Sequence, residues 1–306
     1  MHLCGGDTAE TAVIGKNEHR GDEMADTNYG VILETVPPAE MGAAIAADAA
    51  NKAKLGTIHL LIRSFLCTPF LAYGACVVFA MVAAGVPLGA AGLVFPAGYV
   101  TLNFLGLEMV TGSFATMTMG VYAGMVTPFQ LVRNWTWTLV GNLLGGIFFA
   151  WLIWFSFTYG GSVAPNPMLG VIAKVAEHKV AYAQYGVTGW FTAIGMGVLC
   201  NWLVSLGSVM SKATRSTVGR LLLMWIPIAM FFALGFEHTV VNMWLIPCGI
   251  LSGANVSLYD WWVWNQIPVT IGNILGAAVF NGTLWYYTHT LADKKSSDPL
   301  GRPARA

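Results

Sequence analysis

The chain has 306 residues, 56% of them hydrophobic and only 10% charged, with 15 basic and 15 acidic side chains and a mean hydropathy of +0.62. Water-soluble domains carry about 25% charged residues, so this composition excludes an ordinary soluble enzyme and marks an integral membrane protein. The zero net charge by itself says nothing about partners, and no nucleic-acid partner is expected.

Residues 1–54 are polar and acidic, with no apolar run long enough for a secretory signal. They are expected to form a cytosolic tail ending in an amphipathic helix from Pro38 to about Leu55. A transmembrane domain over 55–291 and a cytosolic tail over 292–306 follow. A bilayer core of about 30 Å needs about 20 apolar residues per helix. Uncharged stretches of that kind lie near 65–86, 135–158, 189–210 and 266–291. Two more apolar regions, 90–127 and 221–254, are too long for one span; the second would reach ~50 Å as a straight helix. Each is interrupted, the first by Pro96 and Gly106-Leu107-Glu108, the second by Gly235-Phe236-Glu237-His238. The expectation is six transmembrane helices, all α, with helices two and five broken.

Basic residues alternate by loop. Lys52, Lys54 and Arg63 precede span one, Arg133 lies between two and three, and Lys212, Arg215 and Arg220 lie between four and five. Lys294, Lys295, Arg302 and Arg305 follow span six, whereas the opposite loops carry only Lys174 and Lys179. The positive-inside rule then places both termini in the cytoplasm, across a plasma (inner) membrane. Trp190, Trp261, Trp262 and Trp264 fall where an outer aromatic belt is expected. Cys4, Cys67, Cys76, Cys200 and Cys248 form no CxxC pattern and read as small apolar residues.

Two strings recur in order. GLE at 106–108 returns as GFE at 235–237, and GNLLGGIFF at 141–149 returns as GNILGAAVF at 272–280, at offsets of 129 and 131 residues. Near-constant spacing argues for duplication into two three-span halves. An odd number of spans inverts the second half, an architecture whose site lies at the paired breaks. A break frees backbone groups, which is tolerated only inside protein or beside a water-filled cavity. Half-helix N-termini facing the centre favour an anion. Asn142 and Asn273 sit at equivalent places beside small residues and are expected to hydrogen-bond between helices rather than to touch a substrate.

Glu237 and His238 are the costliest residues to place. An ionisable group at bilayer depth costs at least ~2.5–3.5 kcal/mol and faces protein or a water-filled path. Of six histidines only His238 lies deep, so a membrane haem, which needs histidines paired across helices, is not expected. No GxSG string of a rhomboid-type protease occurs in the spans. The competitor that shares the architecture is a neutral-solute channel for water or glycerol. Neither break carries the Asn-Pro-Ala of aquaporins.

GLEMVTGS (106–113), VLCNWLVSLGSVM (198–210), GFEHTVVNM (235–243) and IPVTIGNILG (267–276) together resemble the formate/nitrite transporter family. The resemblance runs from about Lys52 to the end of span six. It implies an aquaporin-like fold, a homopentamer with a pore in each protomer, and passage of small monovalent anions such as formate, nitrite or hydrosulfide, with protons. It implies no enzyme activity, cofactor or metal. His238 matches the family's central pore histidine, and Thr111 the threonine reaching toward it. Glu237 and Asn201 match groups that hydrogen-bond around the histidine, and Asn242 joins this pore set. Lys179, in AEHKV, resembles the outer-vestibule lysine that attracts anions, and Lys52 its inner counterpart. Phe95, Met109, Val204 and Phe231 fall at apolar constrictions. Tyr99 stands where a small aliphatic residue is common, Met109 where leucine is usual and Ser113 where asparagine is common.

For each residue a structural role stands beside the pore role. Thr111 is also a candidate helix cap, Asn201 an interhelical hydrogen bond, and Glu108, the counterpart of Glu237, an acceptor for a broken helix end. Histidine suits an anion pathway because its unperturbed pKa is ~6.5. Either its proton moves to the substrate, giving coupled transport, or it stays, giving an anion channel.

Overall fold

A computed structural model describes residues 34–291. Cys4 and the basic residues Lys294, Lys295, Arg302 and Arg305 lie outside these. The described chain is helical apart from one isolated antiparallel bridge between Thr35 and Thr214. In order run α1 (Pro38–Ala53), α2 (Thr57–Ala83), α3 (Leu88–Ala91), α4 (Pro96–Phe104), α5 (Val110–Tyr122) and α6 (Pro128–Phe157). Then come α7 (Pro167–Val180), α8 (Gly186–Met210), α9 (Thr217–Ala233), α10 (Thr239–Leu251), α11 (Leu258–Trp261) and α12 (Ile267–Leu275). Wide π-helical turns over Gly276–Trp285 and Tyr287–Leu291 prolong α12.

Proline opens α1, α6 and α7, where its missing N–H costs nothing and its fixed φ suits the first turn. A capping box also starts α6: Gln130 N donates to Thr127 Oγ1 at 3.2 Å, and Thr127 N donates to Gln130 Oε1 at 2.9 Å. Four stretches are long and apolar enough to cross a bilayer: α2, α6, α7 with α8, and Leu258–Thr290. The two over-long apolar regions are each two shorter helices, α4 with α5 and α9 with α10.

The core is mostly apolar, as in a soluble protein, but it also buries several amides while many large apolar side chains face outward. Asn134, Asn142, Asn201, Asn265 and Asn273 are fully buried, whereas Ile58, Phe129, Phe191 and Leu284 are exposed. Lipid offers no hydrogen bonds, so amides gather inside and apolar side chains face out. Small residues bring the long helices together. A Cβ at Gly145 would strike the Phe65 carbonyl of α2, and one at Gly276 the Val198 carbonyl of α8.

Three details differ from the sequence expectation. α2 begins at Thr57 rather than near 65 and so contains Arg63, whose exposed side chain reaches a cavity. The helix α7 was not anticipated, because its charged residues interrupt the apolar pattern. Trp261 is buried and donates from Nε1 to Gln266 Oε1 at 3.1 Å, so it is not part of an outer belt.

Candidate functional site

Both helix breaks are built alike. α4 ends on Gly106 at φ +64°, and α9 ends on Gly235 at φ +71°. Only glycine adopts this left-handed conformation without cost. Leu107 N then donates to Leu102 O, and Gly106 N to Asn103 O. The second break repeats this pairing with Phe236 to Phe231 and Gly235 to Phe232. These are Schellman closures, which satisfy the last carbonyls of each half-helix.

Amides from the neighbouring long helices hold the following segments. Asn142 Oδ1 accepts from Val110 N at 3.0 Å, and its Nδ2 donates to Ser64 O at 2.8 Å and Glu108 O at 3.1 Å. Asn273 Oδ1 accepts from Thr239 N at 3.0 Å, and its Nδ2 donates to Gly197 O at 3.0 Å and Glu237 O at 2.9 Å. Each amide therefore ties one N–H and one carbonyl of its break to a carbonyl of a neighbouring long helix.

Each break also carries a buried carboxylate paired to a lysine from the preceding short helix. Lys52 Nζ of α1 lies 2.5 Å from Glu108 Oε2, and Lys179 Nζ of α7 lies 2.9 Å from Glu237 Oε2. Neither lysine is a free cation. Glu237 accepts further hydrogen bonds from Tyr182 Oη at 3.2 Å, Asn242 Nδ2 at 2.8 Å and Asn265 Nδ2 at 3.3 Å. The pair is thus neutral overall and fully engaged.

His238 is the N-cap of α10. Its Nδ1 accepts from Val241 N at 3.2 Å, and its Nε2 lies 3.1 Å from Thr111 Oγ1. A nitrogen that accepts carries no proton, so the ring's proton sits on Nε2 and points at Thr111. Phe231 stacks on the imidazole, with ring centroids 5.5 Å apart at 27°. Phe95 stacks on Phe232 at 3.9 Å and meets Phe231 edge-on at 5.4 Å.

Two cavities approach this point. The first, about 310 Å³, is lined by Lys52, Glu108, Met109 and Gly112 on one side and by Ser208, Lys212 and Arg220 on the other. The second, about 450 Å³, is lined by α7, by Phe231 and by His238. They share no lining residue. Thr111 is flanked in the chain by the first cavity's lining and bonds the second cavity's histidine, so their contact lies in the separating wall.

The expected residues divide accordingly. Lys52 and Met109 line the first cavity, and Lys179, Phe231 and His238 the second. Phe95, Tyr99, Val204, Thr111, Asn201, Glu237 and Asn242 line neither. Glu237 and Asn242 face α7 and Asn265 rather than the imidazole. Asn201 Nδ2 donates to Thr111 O at 3.1 Å and Asn273 O at 2.8 Å, reaching the histidine only through Thr111. The Tyr99 hydroxyl is tied to α8, 3.2 Å from Val204 O and 2.9 Å from Ser208 Oγ. Sequence reasoning missed Tyr182, Asn265 and Gln266. Two adjacent amides in VWNQIPV, inside an apolar helix, were the available signal.

The sequence profile described as formate/nitrite transporter matches residues 39–287. The chain is 35% identical over 256 residues to the formate channel FocA of Haemophilus influenzae, covering 72% of this chain and 87% of that one. A solved FNT family ion channel superimposes with a TM-score of 0.72 at 26% identity, over 81% of this chain and 98% of its own. A pentameric formate channel with formate bound gives a TM-score of 0.62 at 25% identity, over 76% and 96%. These relatives are channels, not enzymes. With a matching profile over residues 39–287 and a relative 35% identical of which it covers 87%, this chain belongs to the formate/nitrite transporter family.

Proposed function

We propose that this protein passes small monovalent anions of the formate and nitrite type across a membrane. The pathway within each chain runs from the first cavity past Thr111 and His238 into the second. The observation that carries this reading is the Thr111–His238 hydrogen bond at 3.1 Å, in the wall between two cavities that both bear basic side chains. Membership of a family with formate channels supports the substrate class. The solved pentameric relative supports a homopentamer of such pathways.

Six crossings in two inverted halves account for the paired features. Lys52, Glu108 and Asn142 do in one half what Lys179, Glu237 and Asn273 do in the other. Residues 55–291 form the membrane domain between cytosolic tails over 1–54 and 292–306, and loop charge orients both termini toward the cytoplasm of an inner membrane.

An anion entering hydrocarbon loses hydration at great cost. The Nε2–H of His238 offers a hydrogen bond to an anion that displaces Thr111 Oγ1. In the neutral ring this is its one N–H, so the ring stabilises the anion without charge. Coupled transport needs a second proton, which has a place only on Nδ1 and breaks the cap from Val241 N. The imidazolium then gives its Nε2 proton to the anion, leaving a neutral imidazole and a neutral acid that passes the apolar rings more easily.

The test is flux through purified protein in liposomes, with formate, nitrite, hydrosulfide and glycerol at about pH 5.5 and about pH 7.5, either side of histidine's range. Anion flux that rises with acidity, without glycerol flux, is expected. His238→Phe should assemble normally and lose that pH dependence. Glycerol flux without anion flux overturns the reading.

A further inference from the structure

The hydroxyl side chains that line the first cavity are those of Thr116, Ser208 and Ser211. Thr116 Oγ1 donates to Gly112 O at 3.1 Å, and Ser211 Oγ donates to Ser208 O at 2.6 Å, so both protons are committed to carbonyls. Ser208 Oγ differs. Its one partner among the described residues is Tyr99 Oη, at 2.9 Å. Ser208 is half-buried and faces Gly112, where an added Cβ would come within 3.3 Å of the serine oxygen. Gly112 directly follows Thr111 in α5, and Asn201, about two turns before Ser208 on α8, donates to Thr111 O. Ser208 Oγ therefore stands where the open cavity meets the wall that carries Thr111.

Tyr99 is buried and reaches across from α4. Its hydroxyl has two partners on α8, Val204 O at 3.2 Å and Ser208 Oγ, but one proton to give. Two arrangements fit this geometry. In one, Tyr99 donates to Val204 O and Ser208 donates to Tyr99. In the other, Tyr99 donates to Ser208 Oγ and the serine proton is free to turn toward the cavity. Val204 O lies inside α8, where the helix ladder supplies it with an N–H, so it tolerates losing the phenol.

We propose that Ser208 is an anion contact and Tyr99 its positioning residue, and that together they favour anions whose oxygens accept hydrogen bonds well. A formate or nitrite oxygen entering the wall accepts from Ser208 Oγ. Tyr99 turns its own proton from Val204 O to Ser208 Oγ, and donation to the serine oxygen makes the serine a stronger donor in turn. No proton leaves either side chain. Sulfur accepts hydrogen bonds only weakly, so hydrosulfide gains little from the pair. This step rests on the anion-pathway reading above.

The experiment compares formate, nitrite and hydrosulfide flux in liposomes, over a range of anion concentrations, for the full chain and its variants. Ser208→Ala should lower formate and nitrite flux relative to hydrosulfide by about tenfold, the loss of one hydrogen bond to a charged group, read as a raised half-saturating concentration. Tyr99→Phe keeps the ring and its packing and should move the ratio the same way by less. Ser208→Thr keeps the hydroxyl and should restore the ratio. Ser208→Ala with Tyr99→Phe should be no worse than Ser208→Ala alone, because the phenol acts through the serine. Equal losses for all three anions, additive losses in the double variant, or a ratio that no variant moves overturns the step and leaves the pathway reading standing. A wild type that passes none of the three anions overturns that reading and this step with it.

Discussion

Lys179 keeps only 11% of its side chain exposed, and Glu237 only 2%. Removing one partner of such a pair leaves the other charge buried and uncompensated. Lys179→Met is therefore expected to destabilise the protein by about 3 kcal/mol, and Lys179→Met with Glu237→Gln to recover most of that loss. Thermal denaturation in detergent measures both. An exposed lysine that merely attracted anions would lose its effect at high salt. Here the reduced flux of Lys179→Met should persist at every ionic strength, because the damage is to the break and not to a surface field.

At the scale of the element, the unusual structures are the two interrupted helices. Each leaves backbone groups free at bilayer depth, and each recovers them through a left-handed glycine on one side and one asparagine on the other. Asn142→Ala and Asn273→Ala should each cost at least about 2 kcal/mol, since a buried N–H and a carbonyl of the break lose their partner. Asn→Asp at either position keeps the acceptor but loses both donors, so it should not rescue stability. Melting temperatures of the four variants test this. Comparable losses at the two positions are expected from their matched bonding.

For the whole molecule, large apolar side chains face outward and the mostly apolar interior holds a set of buried amides and ion pairs. The helix α1 lies against this body. Met41 and Ile45 pack with Met119, Val209 and Tyr286, and Asp48 and Glu40 pair with Lys212 and Arg215 of the α8–α9 loop. An apolar exterior suits lipid and also neighbouring subunits. The native mass in mild detergent is expected to be five times the 32.8 kDa chain, by mass spectrometry or light scattering corrected for bound detergent. A monomer mass would contradict the homopentamer proposed above.

Membrane residence, the breaks at Gly106 and Gly235 and the family were all legible in the residues. Apolar run length, punctuation and the cost of a deep ionisable group are local properties of a chain. Asn142 and Asn273 were likewise readable as helix-to-helix bonds, because small residues surround them. What the tertiary structure decided was pairing. Nothing local says that Lys52 and Lys179, each lining a cavity, also pair with carboxylates 56 and 58 residues away. Nor does it say that Glu237 turns to Asn265 while Thr111, 127 residues earlier in the chain, meets His238. Those contacts depend on how α1, α7 and the long helices pack. The direction of a buried polar side chain is set by which unmet partner the packing brings within hydrogen-bond reach.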